Sequence, residues 1–234
     1  MSSAPLPGWK RAIDLLCCAF AFPFFALVTL FAVLLVQLLS PGPVFFRQER
    51  VGLKGRRFKI YKFRTMHTGA DTAGHQKHFA QLMQTNAPMQ KLDAKGDSRL
   101  IPGGWLLRST GLDELPQILN VWRGDMSVVG PRPCIPYEYE QYTAVQRERC
   151  HSLPGLTGLW QVSGKNRTTF EEMISLDRDY TKRKTLALDL KIIALTIPAL
   201  CLQVADVLKA RSGATPKRSS VTLETNPLKS SPIA

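Results

Sequence analysis

The longest apolar run in the chain extends from Leu15 to Leu39, with Gln37 its only strongly polar residue. About 20 apolar residues suffice to cross a bilayer as a helix, so the run is long enough to enter one. Ser40-Pro41-Gly42-Pro43 ends it. Two short strands are expected next, at Val44–Phe46 and Phe58–Phe63, around a turn at Gly52–Gly55. Residues 67–97 are polar and rich in His, Gln, Asp and Gly. They read as a loosely structured insertion, with helical character at Lys77–Met83. Trp105–Arg108, Leu115–Trp122 and Tyr137–Arg149 read as helices, and Gly130-Pro131-Arg132-Pro133 as a rigid extended loop. Leu153–Asn166 reads as a Gly-rich loop with a short strand. Phe170–Lys182 is expected to be a helix opened by Thr168 or Thr169, with Glu171 and Glu172 in its first turn.

From Leu186 to Lys209 the pattern is helical again. Leu190, Ile193, Ile197, Leu200, Cys201, Val204 and Leu208 recur at three- and four-residue steps, and Asp189, Lys191, Gln203 and Asp206 mark a polar side. Such a helix suits either core packing or a membrane interface. Ser, Pro, Thr and Lys dominate from Arg211 onward, the composition of a disordered tail.

Composition narrows the class. The chain has 234 residues, 44% of them hydrophobic, which is ample for a core and too apolar for wholesale disorder. Five cysteines, an odd number without a C-x-x-C pair, argue against a disulfide framework or a structural zinc site and fit a reducing compartment. The net charge of +13 is uneven: +8 falls in residues 1–66, +2 in 67–210 and +3 in 211–234. Lys10 and Arg11 precede the apolar run, and Arg47, Arg50, Lys54, Arg56 and Arg57 follow it. Both flanks therefore look cytoplasmic by the positive-inside rule. Pro23, inside the run, removes a backbone hydrogen bond and can kink a helix. A transmembrane span and a re-entrant hairpin both fit these features. A cleavable signal peptide does not, because the run is too long and its end is a poor cleavage site. Basic residues flanking an apolar segment suit anionic lipid headgroups. A nucleic-acid binder would instead carry its charge as a stripe on a folded face.

The sharpest local feature is Arg108-Ser109-Thr110-Gly111-Leu112-Asp113-Glu114-Leu115-Pro116-Gln117. Pro116 is tolerated only in the first turn of a helix, so a helix begins near Asp113. A carboxylate there faces free N–H groups and stays ionised, although an Asp at such a position is as often a plain cap. Arg64, Arg108, Arg132 and Lys165 are isolated cations, the last two beside Pro and Gly, and loop cations on rigid backbone suit phosphate. Singly, each also reads as solvated surface charge. Asp177-Arg178-Asp179 has the D-x-D form of metal-holding nucleotide-sugar enzymes, a pattern that helices carry for other reasons too. His67, His75, His78 and His151 lack a metal spacing. Cys17, Cys18 and Cys201 sit in apolar runs and read as packing residues.

In order along the chain come Lys10-Arg11-Ala12-Ile13-Asp14, Lys59-Ile60-Tyr61-Lys62-Phe63-Arg64-Thr65-Met66 and Leu112-Asp113-Glu114-Leu115-Pro116-Gln117. Gly124-Asp125-Met126-Ser127-Val128-Val129-Gly130-Pro131-Arg132-Pro133 and Pro154-Gly155-Leu156-Thr157-Gly158-Leu159-Trp160-Gln161 follow. This ordered set, covering Lys10 to Lys209, resembles the bacterial sugar transferases, the small monotopic polyprenyl-phosphate phosphoglycosyltransferases. The resemblance implies a small α/β domain on the cytoplasmic leaflet of a bacterial inner membrane, with an N-terminal re-entrant helix broken at Pro23 and amphipathic interfacial helices. It implies transfer of a sugar 1-phosphate from a UDP-sugar to undecaprenyl phosphate, giving undecaprenyl-diphosphate-sugar and UMP. That is the first membrane step of exopolysaccharide, capsule or O-antigen assembly. By motif, Asp113 is the nucleophile and a ligand of Mg2+, and Glu114 assists it. Lys62, Arg64, Arg108, Arg132 and Lys165 fall on basic positions suited to the anionic substrates.

The chain departs from the family pattern in three places. Phe22-Pro23 stands where Ser-Pro is common, Leu153-Pro154-Gly155 where Arg-Pro-Gly is common, and Lys165 where Arg is frequent. Trp160-Gln161-Val162-Ser163-Gly164 looks like the hexose-transferring members. The expected organisation is an extension over 1–9, the membrane hairpin over 10–41, a catalytic domain over 42–210 with the insertion at 67–97, and a tail over 211–234. Expected partners are the UDP-sugar, undecaprenyl phosphate and membrane lipids, with no nucleic acid; the oligomeric state is open. A non-catalytic scaffold of a polysaccharide machine is the rival reading, against which the intact Asp113-Glu114 pair argues.

Overall fold

A computed structural model describes residues 7–69, 80–89 and 99–211 of the chain. The expected extension before Pro7 and the tail beyond Arg211 lie outside the described residues, as do 70–79 and 90–98 of the insertion.

The apolar run forms one helix, α1 (Gly8–Leu39), with Pro23 inside it. The helix continues through Pro23, so the expected break is not a gap between two helices. Its buried residues are Lys10, Asp14, Cys18, Val28, Ala32 and Val36, mostly four apart, so one stripe faces the rest of the molecule along the whole helix. Leu16, Phe20, Leu27, Leu30, Leu34 and Leu38 point outward and are exposed.

A hairpin of β1 (Phe45–Val51) and β2 (Arg57–Phe63) follows, antiparallel, with Phe46 opposite Lys62 and Arg50 opposite Phe58. Paired residues share a face, so Gln48, Arg50, Ile60 and Lys62 lie on the same side of the sheet. Helix α2 (Gly104–Thr110) ends at Gly111, whose φ of 75° suits glycine. A 3-10 turn over Leu112–Gln117 then leads directly into α3 (Ile118–Arg123). Strand β3 (Ser127–Val129) pairs in parallel with β4 (Gly155–Thr157).

The pairing of β3 with β4 explains two glycine motifs together. Gly130 N–H donates to Thr157 O at 2.9 Å, and Gly155 N–H donates to Pro131 O at 2.9 Å. A Cβ on Gly130 would lie 2.2 Å from Leu153 O, so only glycine lets the two backbones approach.

The expected single helix over Tyr137–Arg149 is corrected to three short pieces. These are α4 (Pro136–Gln141), a turn at Ala144–Arg147 and a 3-10 turn at Glu148–His151. Thr143 restarts the helix with a reciprocal capping box to Gln146, which the T-x-x-Q spacing carries. The insertion is also firmer than expected where described. Residues 80–85 are helical, and Leu82 and Met89 are buried in a core with Cys134, Trp160, Phe170 and Met173.

Helix α5 (Phe170–Arg183) carries the predicted cap, a box between Thr169 and Glu172. In α6 (Leu186–Arg211) part of the expected polar side, Asp189 and Gln203, turns inward, while Lys191 stays exposed. Asp189 is buried, Thr196 Oγ1 meets Thr157 Oγ1 at 2.9 Å, and Gln203 Nε2 donates to Ser109 O at 2.9 Å. Leu190, Ile197 and Leu208 are exposed, and so is Cys201, which corrects its reading as a packing residue; Cys18 is packed as expected. Ile192 is buried beside Val129 and Tyr180, so the helix docks through both polar and apolar side chains, and the apolar residues it leaves outward give it the form of an interfacial helix.

Candidate active site

The site is built on the 3-10 turn. Gly111 turns the chain out of α2, Glu114 N–H donates back to Gly111 O at 3.1 Å, and Pro116 fixes the first turn. Leu112 and Leu115 pack beside Val28, Ala32, Phe63 and Leu107, which seats the turn between α1 and β2. Leu112 also lines an apolar hollow with Leu27, Val28, Leu30, Phe31 and Leu34 of α1. Asp113, next in sequence, is only 5% exposed.

Lys62 Nζ meets Glu114 Oε1 at 2.7 Å, so β2 and the turn are joined by an ion pair whose side chains keep 20% and 31% of their exposure. Arg108, at the end of α2, directs Nη1 to Thr65 Oγ1 at 3.4 Å. Arg132 in the Gly-Pro-Arg-Pro loop pairs through Nη1 with the fully buried Glu138 at 3.0 Å. Lys165 belongs to another neighbourhood, a 3-10 turn (Lys165–Arg167) packed on the short helix Leu159–Val162 and closed by Thr168 Oγ1 donating to Lys165 O at 2.7 Å. Its own φ of 46° is left-handed.

Arg64 is placed at the end of α1. Its guanidinium is buried, donating from Nε to Pro43 O at 2.7 Å, from Nη1 to Ser40 Oγ at 3.0 Å and from Nη2 to Ser40 O. All three nitrogens fasten the chain at the end of α1. The D-x-D motif resolves in the same way: buried Asp177 ion-pairs with buried Arg149, and Asp179 pairs with Arg183.

Arg50 was absent from the sequence-based set and belongs in the site's description. It is 6% exposed, donates to Pro133 O at 3.2 Å and to Gln48 Oε1 at 2.6 Å, and lies within the electrostatic reach of Arg132, Glu138 and Glu114. Burial, and then the neighbouring Arg132, pushes its guanidinium down to about 10, so it stays cationic at neutral pH. The available signal was its place in the strand, on the same face as Lys62.

Among the described residues no three His, Cys, Asp or Glu side chains gather as a closed metal cage. Adjacent Asp113 and Glu114 still fit Mg2+, which commonly takes one or two carboxylates together with substrate phosphates and waters.

Basic and acidic side chains thus gather beside a long apolar helix. The model of the bacterial sugar transferase family matches residues 7–203, and the chain belongs to that family. It is 38% identical over 201 residues to an exopolysaccharide production protein of Rhizobium meliloti, covering 85% of this chain and 88% of that one. A UDP-glucose:undecaprenyl-phosphate glucose-1-phosphate transferase of Caulobacter vibrioides is 41% identical over 202 residues, covering 82% and 69%. An undecaprenyl-phosphate galactose phosphotransferase of Salmonella typhimurium is 38% identical over 161 residues, covering 66% of this chain and 33% of that one. Family membership and two helices long and apolar enough to cross a bilayer, α1 and α6, together indicate membrane association.

Proposed function

We propose that the protein transfers a hexose 1-phosphate from a UDP-sugar to undecaprenyl phosphate at the cytoplasmic face of the inner membrane. The observation that carries this reading is the position of Asp113. It lies one residue from an apolar hollow on α1 and next to the Lys62–Glu114 pair, where a lipid acceptor and an anionic donor can meet.

In the first step an Asp113 carboxylate oxygen attacks the β-phosphorus of the donor. The bond from that phosphorus to the bridging oxygen breaks, and UMP leaves with the oxygen. In the second step a phosphate oxygen of undecaprenyl phosphate attacks the same phosphorus, the acyl-phosphate bond breaks, and the Asp113 carboxylate is restored. Dividing the transfer in two lets a soluble donor and a lipid acceptor use the site in turn. Mg2+ held by Asp113 and the donor's phosphates would neutralise charge on the leaving group. Lys62 holds Glu114 in place beside the nucleophile, and Arg108 and Arg132 supply positive charge toward the phosphates.

The re-entrant reading of α1 rests on its two ends. Lys10, near the start, donates to Val129 O and Asp189; Ser40, just past the end, is held by Arg64. A helix tied at both ends to one domain keeps both ends on one side of the bilayer, its outward Leu and Phe side chains entering the lipid.

The test is UMP release by the full chain in detergent, with Mg2+, undecaprenyl phosphate and a panel of UDP-sugars. Acceptor-dependent UMP from a UDP-hexose is expected. Asp113→Asn should reduce it by about a thousandfold or more, because a lost nucleophile removes the covalent route. Wild-type rates in that variant would overturn the assignment.

A further inference from the structure

Around the partly exposed Arg132 the structure buries two further guanidiniums, Arg50 and Arg149, and two carboxylates, Glu138 and Asp177. Arg149 is matched by Asp177, and its Nη1 also donates to Tyr142 OH at 2.8 Å. Arg132 is matched by Glu138, whose Oε2 also accepts from Tyr142 OH at 3.3 Å. Burial pushes the Tyr142 phenol well up, so it stays neutral and adds no negative charge. Arg50 is left with two neutral acceptors, Pro133 O and Gln48 Oε1, and its Nε is buried without a hydrogen-bond partner. Of the two carboxylates whose charge reaches it, Glu138 is engaged by Arg132 and Glu114 by Lys62. Over these five groups the guanidiniums exceed the carboxylates by one charge, and Arg50 is the guanidinium that has no hydrogen bond to a carboxylate.

A buried charge without a counter-charge is costly, and folding alone gives no reason to keep it. An anion with several oxygens would cancel it. Two guanidiniums side by side offer planar forks suited to phosphate. We propose that Arg50 and Arg132 form the anion site that receives the diphosphate of the nucleotide-sugar donor; this rests on the transferase reading above.

The same phosphate chemistry is offered by the acceptor's headgroup. A diphosphate brings one phosphate for each guanidinium and so suits the pair better than a single headgroup phosphate, and the two KM values separate the sources.

The full chain in detergent, as wild type, Arg50→Met and Arg50→Lys, tests this by two independent readouts. Inorganic pyrophosphate and UMP are titrated against thermal unfolding, which needs no turnover. Donor and acceptor KM are then measured from UMP release. The wild type should be stabilised by pyrophosphate and UMP. Arg50→Met should weaken both by at least tenfold and raise donor KM by at least tenfold, leaving acceptor KM within twofold. Arg50→Lys keeps the charge and loses the planar fork, so it should recover part of the affinity. If Arg50→Met does not fold, Arg50→Lys decides: pyrophosphate affinity equal to wild type overturns the proposal. It is also overturned if pyrophosphate fails to stabilise the wild type, if Arg50→Met binds it normally, or if the loss falls on acceptor KM. Pyrophosphate binding that depends on Arg50, with no UMP from any donor, would uphold the anion site and sink the transferase reading. Transfer with Arg50-independent binding would do the reverse.

Discussion

At the root of α1, Lys10 directs its ammonium to Val129 O at 2.6 Å, Tyr180 OH at 2.7 Å and Asp189 Oδ2 at 2.5 Å, so all three donors are used. Asp14, one turn on, accepts from Ser127 Oγ and Val128 N–H, both at 2.8 Å. Burial, and then Asp189, pushes the Tyr180 phenol far up, so its hydroxyl stays neutral and donates to Asp189 Oδ1 at 2.8 Å. Charge and hydrogen bonds both close there. Beside the Asp113 turn they do not: buried Arg50 has no hydrogen bond to a carboxylate, and Lys62–Glu114 stays partly open to solvent. Both regions bury ionisable groups, so burial does not separate them. Closure does. A saturated network fixes two apolar helices to one domain, whereas an unsaturated one is shaped to receive charge.

The contrast breaks most visibly at Lys10. Lys10→Met leaves Asp189 buried without its cation, and losing one partner of a buried pair typically costs about 3–5 kcal/mol. Thermal unfolding should show that loss, and Lys10→Met/Asp189→Leu should regain part of it by removing the orphaned charge. A single variant as stable as wild type would mean that the network does not anchor α1. Arg64→Met should cost less, about 2 kcal/mol, because it strands only the neutral acceptors Ser40 Oγ, Ser40 O and Pro43 O. Its UMP affinity, measured on the folded fraction, should match the wild type. A tenfold loss there would return Arg64 to the substrate site.

These two residues also mark how far the sequence could be read. Thr169 with Glu172 announced α5, and Pro116 after Asp113 announced the turn, because both signals are local. The role of Arg64 depends on Ser40, 24 residues earlier, and that of Arg50 on Pro133, 83 residues later. Neither spacing exists in the linear pattern. The stripe of α6 was periodic enough to give a helix, yet its inward side could not be assigned. Hydropathy points apolar residues toward a core, and here Asp189 faces Lys10 and Leu190 faces outward. A membrane on the outer side reverses the rule that the period relies on.

The smallest change in stability is expected at Lys62, where the comparison sharpens. Its pair with Glu114 keeps partial exposure on both sides, so Lys62→Met should move unfolding by no more than about 1 kcal/mol. The substitution keeps the stem that lies along the β2 face and removes only the charge. Transfer should nevertheless fall by about tenfold, roughly 1.4 kcal/mol of lost transition-state stabilisation, since Glu114 loses its partner beside the nucleophile. Stability and turnover measured on the same preparation check this. A large stability loss with proportionate loss of turnover would make Lys62–Glu114 a closed structural pair like Lys10–Asp189. A small stability loss with a disproportionate loss of turnover is what an open site requires.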